Sequence, residues 1–181
     1  MSNLGPNYSS NVVDNNSIGV VAWTNPANAQ GNPANDNAYA AIQVNGAISH
    51  RLWFTGFSFN IPVGAIINGV TVSFRKWKGG TVRAPRNYSI KLIVNGVVAG
   101  TDKSDGVTWA TNPQWDTYGG VADLWGCTLT PEIINASNFG VALACDATTA
   151  MGLAASGRVD GGRITITYTD TSGRVIIMEE F

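Results

Sequence analysis

The sequence has few of the side chains on which catalysis and metal binding usually depend. It contains one histidine, His50, and its acidic residues are mostly scattered singly. A glycosidase-type carboxylate pair would have to be assembled from distant residues, such as Asp116 and Asp123. The segment DKSDG at residues 102–106 carries only part of the ligand pattern of a calcium loop, and a capped turn explains it. We therefore predict no enzyme activity, no metal site and no cofactor.

Charge is also scarce. Lysine, arginine, aspartate and glutamate make up 13% of the chain, and the net charge is −1. That share is about half of what a globular chain usually carries. With a pI near 5.7, no overall field attracts nucleic acid or an anionic membrane. Asn, Thr, Ser and Gly supply the polarity instead, so other protein can cover this surface at a modest desolvation cost. This composition favours a subunit of an assembly.

Targeting and membrane-spanning signals are missing as well. Residues 1–16 have neither a basic start nor an apolar centre, and no apolar run has the length of a membrane span. We expect synthesis in a cytoplasm, where disulfides are disfavoured. The two cysteines, Cys127 and Cys145, are accordingly predicted to be buried thiols.

The clearest positive signal is a pair of strands within residues 56–78, GFSFNIPVGAIINGVTVSFRKWK. The first strand ends at a corner over 62–64, where proline and glycine stop it. In the second strand Val70, Val72 and Phe74 alternate with polar residues, which is the period of two typical of a half-buried strand. One face of this strand needs a second sheet to cover it.

Other segments extend this pattern. Asn-Gly dipeptides at 45–46 and 95–96 predict hairpins. The strand predicted at 139–145 has large residues on one side and only Gly and Ala on the other, a flat face that another strand or subunit can approach closely. Alternation is strict over 163–169, and Thr130 followed by proline predicts a helix of about two turns.

These signals predict an all-β fold, an antiparallel, jelly-roll-like β-sandwich of about eight strands with one short helix. The sandwich domain is predicted to span residues 18–170. Residues 1–17 show no apolar periodicity and are interpreted as an N-terminal arm, either docked on a neighbouring subunit or disordered. Deleting residues 1–12 is then expected to leave a folded sandwich. Residues 171–181 are interpreted as a C-terminal tail, packed on a partner or on the domain itself.

A run of basic residues stands out within the sandwich. Six of the eleven lysines and arginines lie within residues 75–91, interleaved with tryptophan and tyrosine. The run fits either a solvated loop face or a contact patch for an acidic partner surface, where arginine and aromatic residues are enriched. The candidate partner-binding residues are Arg75, Lys76, Trp77, Lys78, Arg83 and Arg86.

Six tryptophans in a chain of this composition are a second unusual feature. Most are expected in the core or at its rim. Exposed tryptophans on one concave surface could instead stack on sugar rings, so a carbohydrate-binding module remains open.

Several motifs, taken in order, resemble a family of small β-sandwich structural proteins of tailed bacteriophages. The resemblance covers about residues 20–170 and rests on WTNPANA at 23–29, DNAYA at 36–40, IPVGA at 61–65, YGG at 118–120, DLWG at 123–126, LTP at 129–131, NFGV at 138–141, VD at 159–160 and ITITY at 164–168.

The resemblance implies a virion component, above all a capsid decoration (cement) protein. Such a protein would bind the major capsid protein on the outer capsid surface, stabilise the head, and sit there as a homotrimer. The alternative is a tail, neck or fibre component that acts as a receptor- or glycan-binding module. No nucleic-acid or membrane partner and no catalytic residue is implied.

Overall fold

The protein, described from a computed structural model, is a sandwich of two antiparallel sheets. The structure describes residues 1–33, 39–80, 83–147 and 154–171. These contain ten strands, namely β1 (Ser2–Tyr8), β2 (Asn11–Asn15), β3 (Ala40–Val44), β4 (Arg51–Thr55), β5 (Ile66–Lys78), β6 (Arg86–Val94), β7 (Val97–Ala99), β8 (Gln114–Gly119), β9 (Gly140–Asp146) and β10 (Ala155–Thr169). The helical elements are a 3₁₀ helix at Pro26–Ala29 and α1 at Pro131–Asn135.

Strands β3 to β10 have the interleaved order of a jelly roll. Sheet A runs β3-β10-β5-β8, and sheet B runs β4-β9-β6-β7. Sheet A gains β1, which pairs with the second half of the long strand β10, while β3 pairs with its first half. Sheet B gains β2 as a further strand beside β4. The predicted all-β sandwich is therefore confirmed, with two strands more than expected.

The core lies between the sheets and is filled by the apolar side chains that alternate along each strand. Val70, Val72 and Phe74 of β5 are fully buried, as their alternation predicted. Phe74 meets Phe54 of sheet B with 5.1 Å between ring centroids. This contact joins the two sheets at the centre of the molecule.

Several local predictions are confirmed. The turn at Asn95 and Gly96, both at positive φ, joins β6 to β7 as a hairpin. Thr130 caps α1, where its hydroxyl accepts a hydrogen bond from the Ile133 amide. Cys145 is a buried free thiol, as predicted, whereas the free thiol of Cys127 is only partly buried.

Two strand predictions are wrong. The Asn45-Gly46 turn does not close a hairpin, because β3 belongs to sheet A and β4 to sheet B. The segment 57–61, in which Ser58 has a positive φ, packs its apolar side chains into the core but is not a strand. Its backbone is bound instead by Asn135, whose side chain accepts from Ile61 N and donates to Ile61 O.

The N-terminal segment is part of the sandwich and not an arm. Polar side chains attach it, which is why apolar periodicity did not reveal it. The buried hydroxyl of Ser9 donates to Thr55 O at 2.8 Å, and the Asn7 amide donates to Phe57 O at 2.9 Å. Val12 then adds an apolar side chain to the core.

The predicted C-terminal tail lies outside the described residues, apart from Thr171. In the described part of the chain, no helix has the length and apolar character needed to cross a membrane.

Candidate functional site

The six tryptophans divide into four that are buried and two that are not. Trp23, Trp77, Trp109 and Trp125 are at most 9% exposed. Trp53 and Trp115 are partly exposed, and each lines a surface cleft on a different sheet. These two clefts are the candidate ligand sites.

The first cleft, here named the Trp53 groove, has a volume of about 340 Å³ and lies on the outer face of sheet B. One wall comes from β2 and β4 and the other from the β6–β7 hairpin, so the groove reaches across the sheet. Its lining residues are Asn15, Ser17, Arg51, Trp53, Gly96, Val97 and Val98.

Strand alternation places Arg51 and Trp53 in this groove. Leu52 and Phe54 point into the core and are fully buried, so Arg51 and Trp53 must point outward. In the neighbouring strand β9 the residue paired with Trp53 is Ala142. The outward residues of β9 are small, as the sequence predicted, and Ala142 and Ala144 are buried.

Two nitrogens of residues that line the groove lack hydrogen-bond partners. Arg51 Nε and Trp53 Nε1 are buried, and neither has a partner among the described residues. Arg51 Nη1 donates to Ser17 Oγ at 3.0 Å. Burial lowers the pKa of Arg51, and the charges of Asp102 and Tyr88 partly oppose that shift. Buried donors without partners cost free energy, but both atoms lie beneath the groove surface, so a ligand reaches them only if neighbouring side chains move.

The second cleft, here named the Trp115 cleft, lies along the free edge of β8 and has a volume of about 380 Å³. Its lining residues are Asp105, Val107, Thr108, Ala110, Gln114, Trp115, Asp116, Thr117 and Tyr118. One face of the Trp115 ring is covered by Arg163, whose guanidinium carbon lies 4.0 Å from the ring centroid.

The polar groups of the Trp115 cleft are bound within the protein. Asp116 accepts from Lys76 and, at 2.8 Å, from the Gln114 amide. Asp105 accepts from Asn87 at 2.7 Å and from the Val107 amide at 3.0 Å. These hydrogen bonds use part of the acceptor capacity of the two carboxylates.

The six predicted partner-binding residues do not form one exposed patch. Lys76 points into the core and is 1% exposed, with its ammonium paired to Asp116. Arg75 and Trp77 lie on the opposite side of the same strand, and Trp77 is buried. Arg86 lies in the other sheet and forms two hydrogen bonds with Asp146, of 2.7 and 3.0 Å.

The remaining two are Lys78, which is half-buried at the end of β5, and Arg83, which is exposed. The basic residues are close in sequence but not in space. Successive residues of β5 point to opposite faces of the sheet, and the chain then crosses to the other sheet before Arg86. Of the six, Arg83 has the exposure expected of a free contact residue.

The acidic residues considered for catalysis are likewise separated. Asp116 pairs with Lys76, and Asp123 pairs with Lys103 at 2.7 Å. His50 Nδ1 lies 2.8 Å from a carboxylate oxygen of Asp14. No group of three or more potential metal ligands occurs among residues 1–33, 39–80, 83–147 and 154–171.

Sequence reasoning did not select Arg51, and it considered Trp53 only as one of six tryptophans that could stack on a sugar. A signal for them exists in RLWFT at 51–55, where an arginine and a tryptophan alternate with two core residues. The contribution of Asn15 is not visible from sequence, because it depends on the pairing of β2 with β4.

No family model and no curated protein sequence matches this chain. Three solved structures are similar to it at low identity. A CBM4 structure shares 13% identity over 76% of this chain and 89% of its own, with a TM-score of 0.35. The second N-terminal cellulose-binding domain of Cellulomonas fimi β-1,4-glucanase C shares 12% over 93% and 95%, with a TM-score of 0.38. An arabinose-bound GH51 α-L-arabinofuranosidase shares 11% over 83% of this chain and 22% of its own, with a TM-score of 0.41.

Proposed function

We propose that this chain is a non-catalytic carbohydrate-binding module and that the Trp53 groove is its binding site. The observation that carries the proposal is a partly exposed indole in a groove that also has polar side chains on one wall and valines on the other.

The chemistry of the groove suits a sugar. The apolar face of a pyranose packs on an indole ring, and its hydroxyls accept and donate hydrogen bonds. Trp53 offers the ring, while Asn15 and Ser17 offer polar groups on the same wall. Val97 and Val98 of the opposite wall supply apolar contact.

The Trp115 cleft is the weaker candidate for the same role. Its carboxylates already accept hydrogen bonds from Lys76, Gln114 and Asn87. Arg163 also covers one face of the Trp115 ring, so that face is closed to a sugar.

The test is a screen of immobilised oligosaccharides with the wild-type chain and two matched variants, Trp53→Ala and Trp115→Ala. We expect wild-type binding to at least one oligosaccharide, loss of that binding in W53A, and retention in W115A. Thermal unfolding of each variant checks that it is folded. Loss in W115A with retention in W53A would move the site to the Trp115 cleft, and absence of any binding would overturn the proposal.

A capsid decoration protein of a tailed phage is a second candidate, supported by the outer face of sheet A. There Arg158 lies over the Tyr39 ring at 4.3 Å, and Tyr39 meets Trp77 edge-on at 5.7 Å. Arg163 and Trp115 form a similar pair on the same face. Arginine and aromatic residues of this kind are enriched at protein interfaces. In this proposal the major capsid protein is the partner and the chain is a virion component acting as a homotrimer.

The second candidate is tested by cosedimentation with capsids that lack the protein. We expect stoichiometric binding at lattice positions and weaker binding by Arg158→Ser. Because Arg86 is bound to Asp146, Arg86→Ala is unsuitable as a surface probe, and the exposed Arg83→Ala is the appropriate test of the basic loop. Absence of capsid binding would remove this candidate.

A further inference from the structure

Among the described residues that line the Trp53 groove, Arg51 alone carries a charge. The other lining residues are neutral, and no carboxylate is among them. The groove therefore presents a single positive charge beside an aromatic ring. This differs from the Trp115 cleft, where two aspartates line the wall.

The Arg51 guanidinium is not neutralised by the protein. Of the ion pairs within the described part of the chain, none includes Arg51, whereas Arg75 and Arg86 each pair with an aspartate. Its Nη1 meets a neutral hydroxyl, that of Ser17, and its Nε has no partner.

The acidic residue with the largest effect on the pKa of Arg51 is Asp102, whose carboxylate accepts hydrogen bonds from other groups. It accepts hydrogen bonds from Ile90 N at 2.9 Å, Ser89 Oγ at 2.8 Å and Ser104 N at 2.9 Å. The negative charge of Asp102 thus favours the protonated form of Arg51. It does so at a distance, without using any of the guanidinium N–H donors in a hydrogen bond. A guanidinium has five N–H donors in a planar fork that matches a carboxylate. Because Arg51 Nε is buried, a carboxylate in the groove would bind through the terminal Nη1 and Nη2 nitrogens.

We propose that the ligand of the Trp53 groove is an acidic glycan, a chain of uronic acid residues whose carboxylate binds Arg51 while a sugar ring packs on Trp53. This inference rests on the proposed function and adds the ligand class to it. The groove volume is near the lower end of ligand pockets, which are roughly 300–1,000 Å³, so it accommodates a short stretch of the glycan.

The experiment compares acidic oligosaccharides with their neutral counterparts of equal length. The probes are oligogalacturonate, oligomannuronate and oligoguluronate, each also as its carboxyl methyl ester, together with unrelated neutral oligosaccharides. We expect the wild-type chain to bind at least one uronate at least tenfold more tightly than its methyl ester, because a hydrogen-bonded charge pair is lost in the ester. Affinity for the uronate should fall as salt increases.

Variants separate the charge from the ring. Arg51→Gln should lose about tenfold or more in affinity for the uronate and little for the ester, and Arg51→Lys should fall between, because lysine keeps the charge without the fork. Trp53→Ala should lose affinity for both the uronate and its ester. Thermal unfolding confirms that each variant is folded.

The outcomes distinguish the two proposals. Equal binding of uronate and ester, no effect of R51Q, or binding of neutral oligosaccharides alone would overturn the acidic ligand while leaving a carbohydrate-binding module. Failure of every acidic and neutral oligosaccharide would overturn both.

Discussion

The Lys76 ammonium is buried at the end of the core and is paired with the Asp116 carboxylate. Lys76 is 1% exposed and Asp116 is 27% exposed. The ammonium also lies 5.1 Å from the centroid of the Trp109 ring, and burial lowers the pKa of Lys76, against the opposing influence of Asp116. If Lys76 is removed, water can solvate the Asp116 carboxylate. If Asp116 is removed, water cannot reach the buried Lys76 ammonium in the same way.

This asymmetry predicts unequal effects of removing each partner. Asp116→Ala leaves a buried ammonium without its counterion, and we expect a loss of about 3 kcal/mol in the free energy of unfolding. Lys76→Met fills the same space and leaves a carboxylate that water reaches, so the loss should be smaller. Urea unfolding of both variants measures the difference. A larger loss for K76M would contradict this description of the pair.

Gly140 is predicted to be required for the approach of β9 to β4. A Cβ at this position would collide with the backbone carbonyl of Phe54. We expect Gly140→Ala to lower the free energy of unfolding by about 2–3 kcal/mol, because a packed neighbouring backbone must shift. Gly120→Ala is the matched control, since its Cβ would meet no atom within 4 Å, and it should change stability by less than about 0.5 kcal/mol. Similar behaviour of the two variants would refute the close contact.

Deletion of residues 1–12 is predicted to destabilise the domain. It removes β1, the buried hydroxyl of Ser9 and the core side chain of Val12. A loss of about 3 kcal/mol corresponds to a decrease in Tm of roughly 6–12 °C for a domain of this size. Calorimetry of the truncated chain measures it, and an unchanged Tm would restore the interpretation of this segment as an arm.

Asp102 is predicted to make stability depend on pH in the acidic range. Burial by itself would raise the pKa of Asp102, but hydrogen bonds from Ile90, Ser104 and Ser89 hold it below its ordinary value of 3.8. As pH falls below 3.8 the unfolded chain takes up the proton first, so this contribution to stability is present above 3.8 and is lost on acidification through the folded-state pKa. Asp102→Asn should flatten this part of the profile in urea unfolding between pH 2 and 5. An unchanged profile would contradict the assignment.

Sequence patterns predicted the parts of the fold that depend on local alternation. The core phase of β5, the β6–β7 hairpin at Asn95 and the helix cap at Thr130 all follow from neighbouring residues. The N-terminal strands did not, because backbone pairing and polar side chains such as Ser9 attach them. The hairpin predicted at Asn45-Gly46 was wrong because the two flanking strands, β3 and β4, join different sheets. That assignment depends on the topology of the whole domain and not on the turn residues.

The candidate site was less predictable than the fold. The tryptophans were recognised as possible sugar platforms, but which of them reach the surface depends on packing against the rest of the sandwich. The basic run drew attention to Lys76 and Arg86, which the structure uses in internal ion pairs. Arg51 was not selected from the sequence, because a single arginine is a candidate ligand-binding residue only if no carboxylate pairs with it. Whether one does so depends on the three-dimensional structure.

The most direct test of the account is an NMR titration that follows the indole N–H signals of the six tryptophans while the best-binding oligosaccharide is added. We predict a large shift of the Trp53 Nε1–H signal, because a sugar ring that packs on the indole changes the environment of that ring. The signals of the four buried tryptophans and of Trp115 should move little. A dominant shift of the Trp115 signal, or no change in Trp53 at a saturating concentration, would contradict the assignment of the Trp53 groove as the binding site.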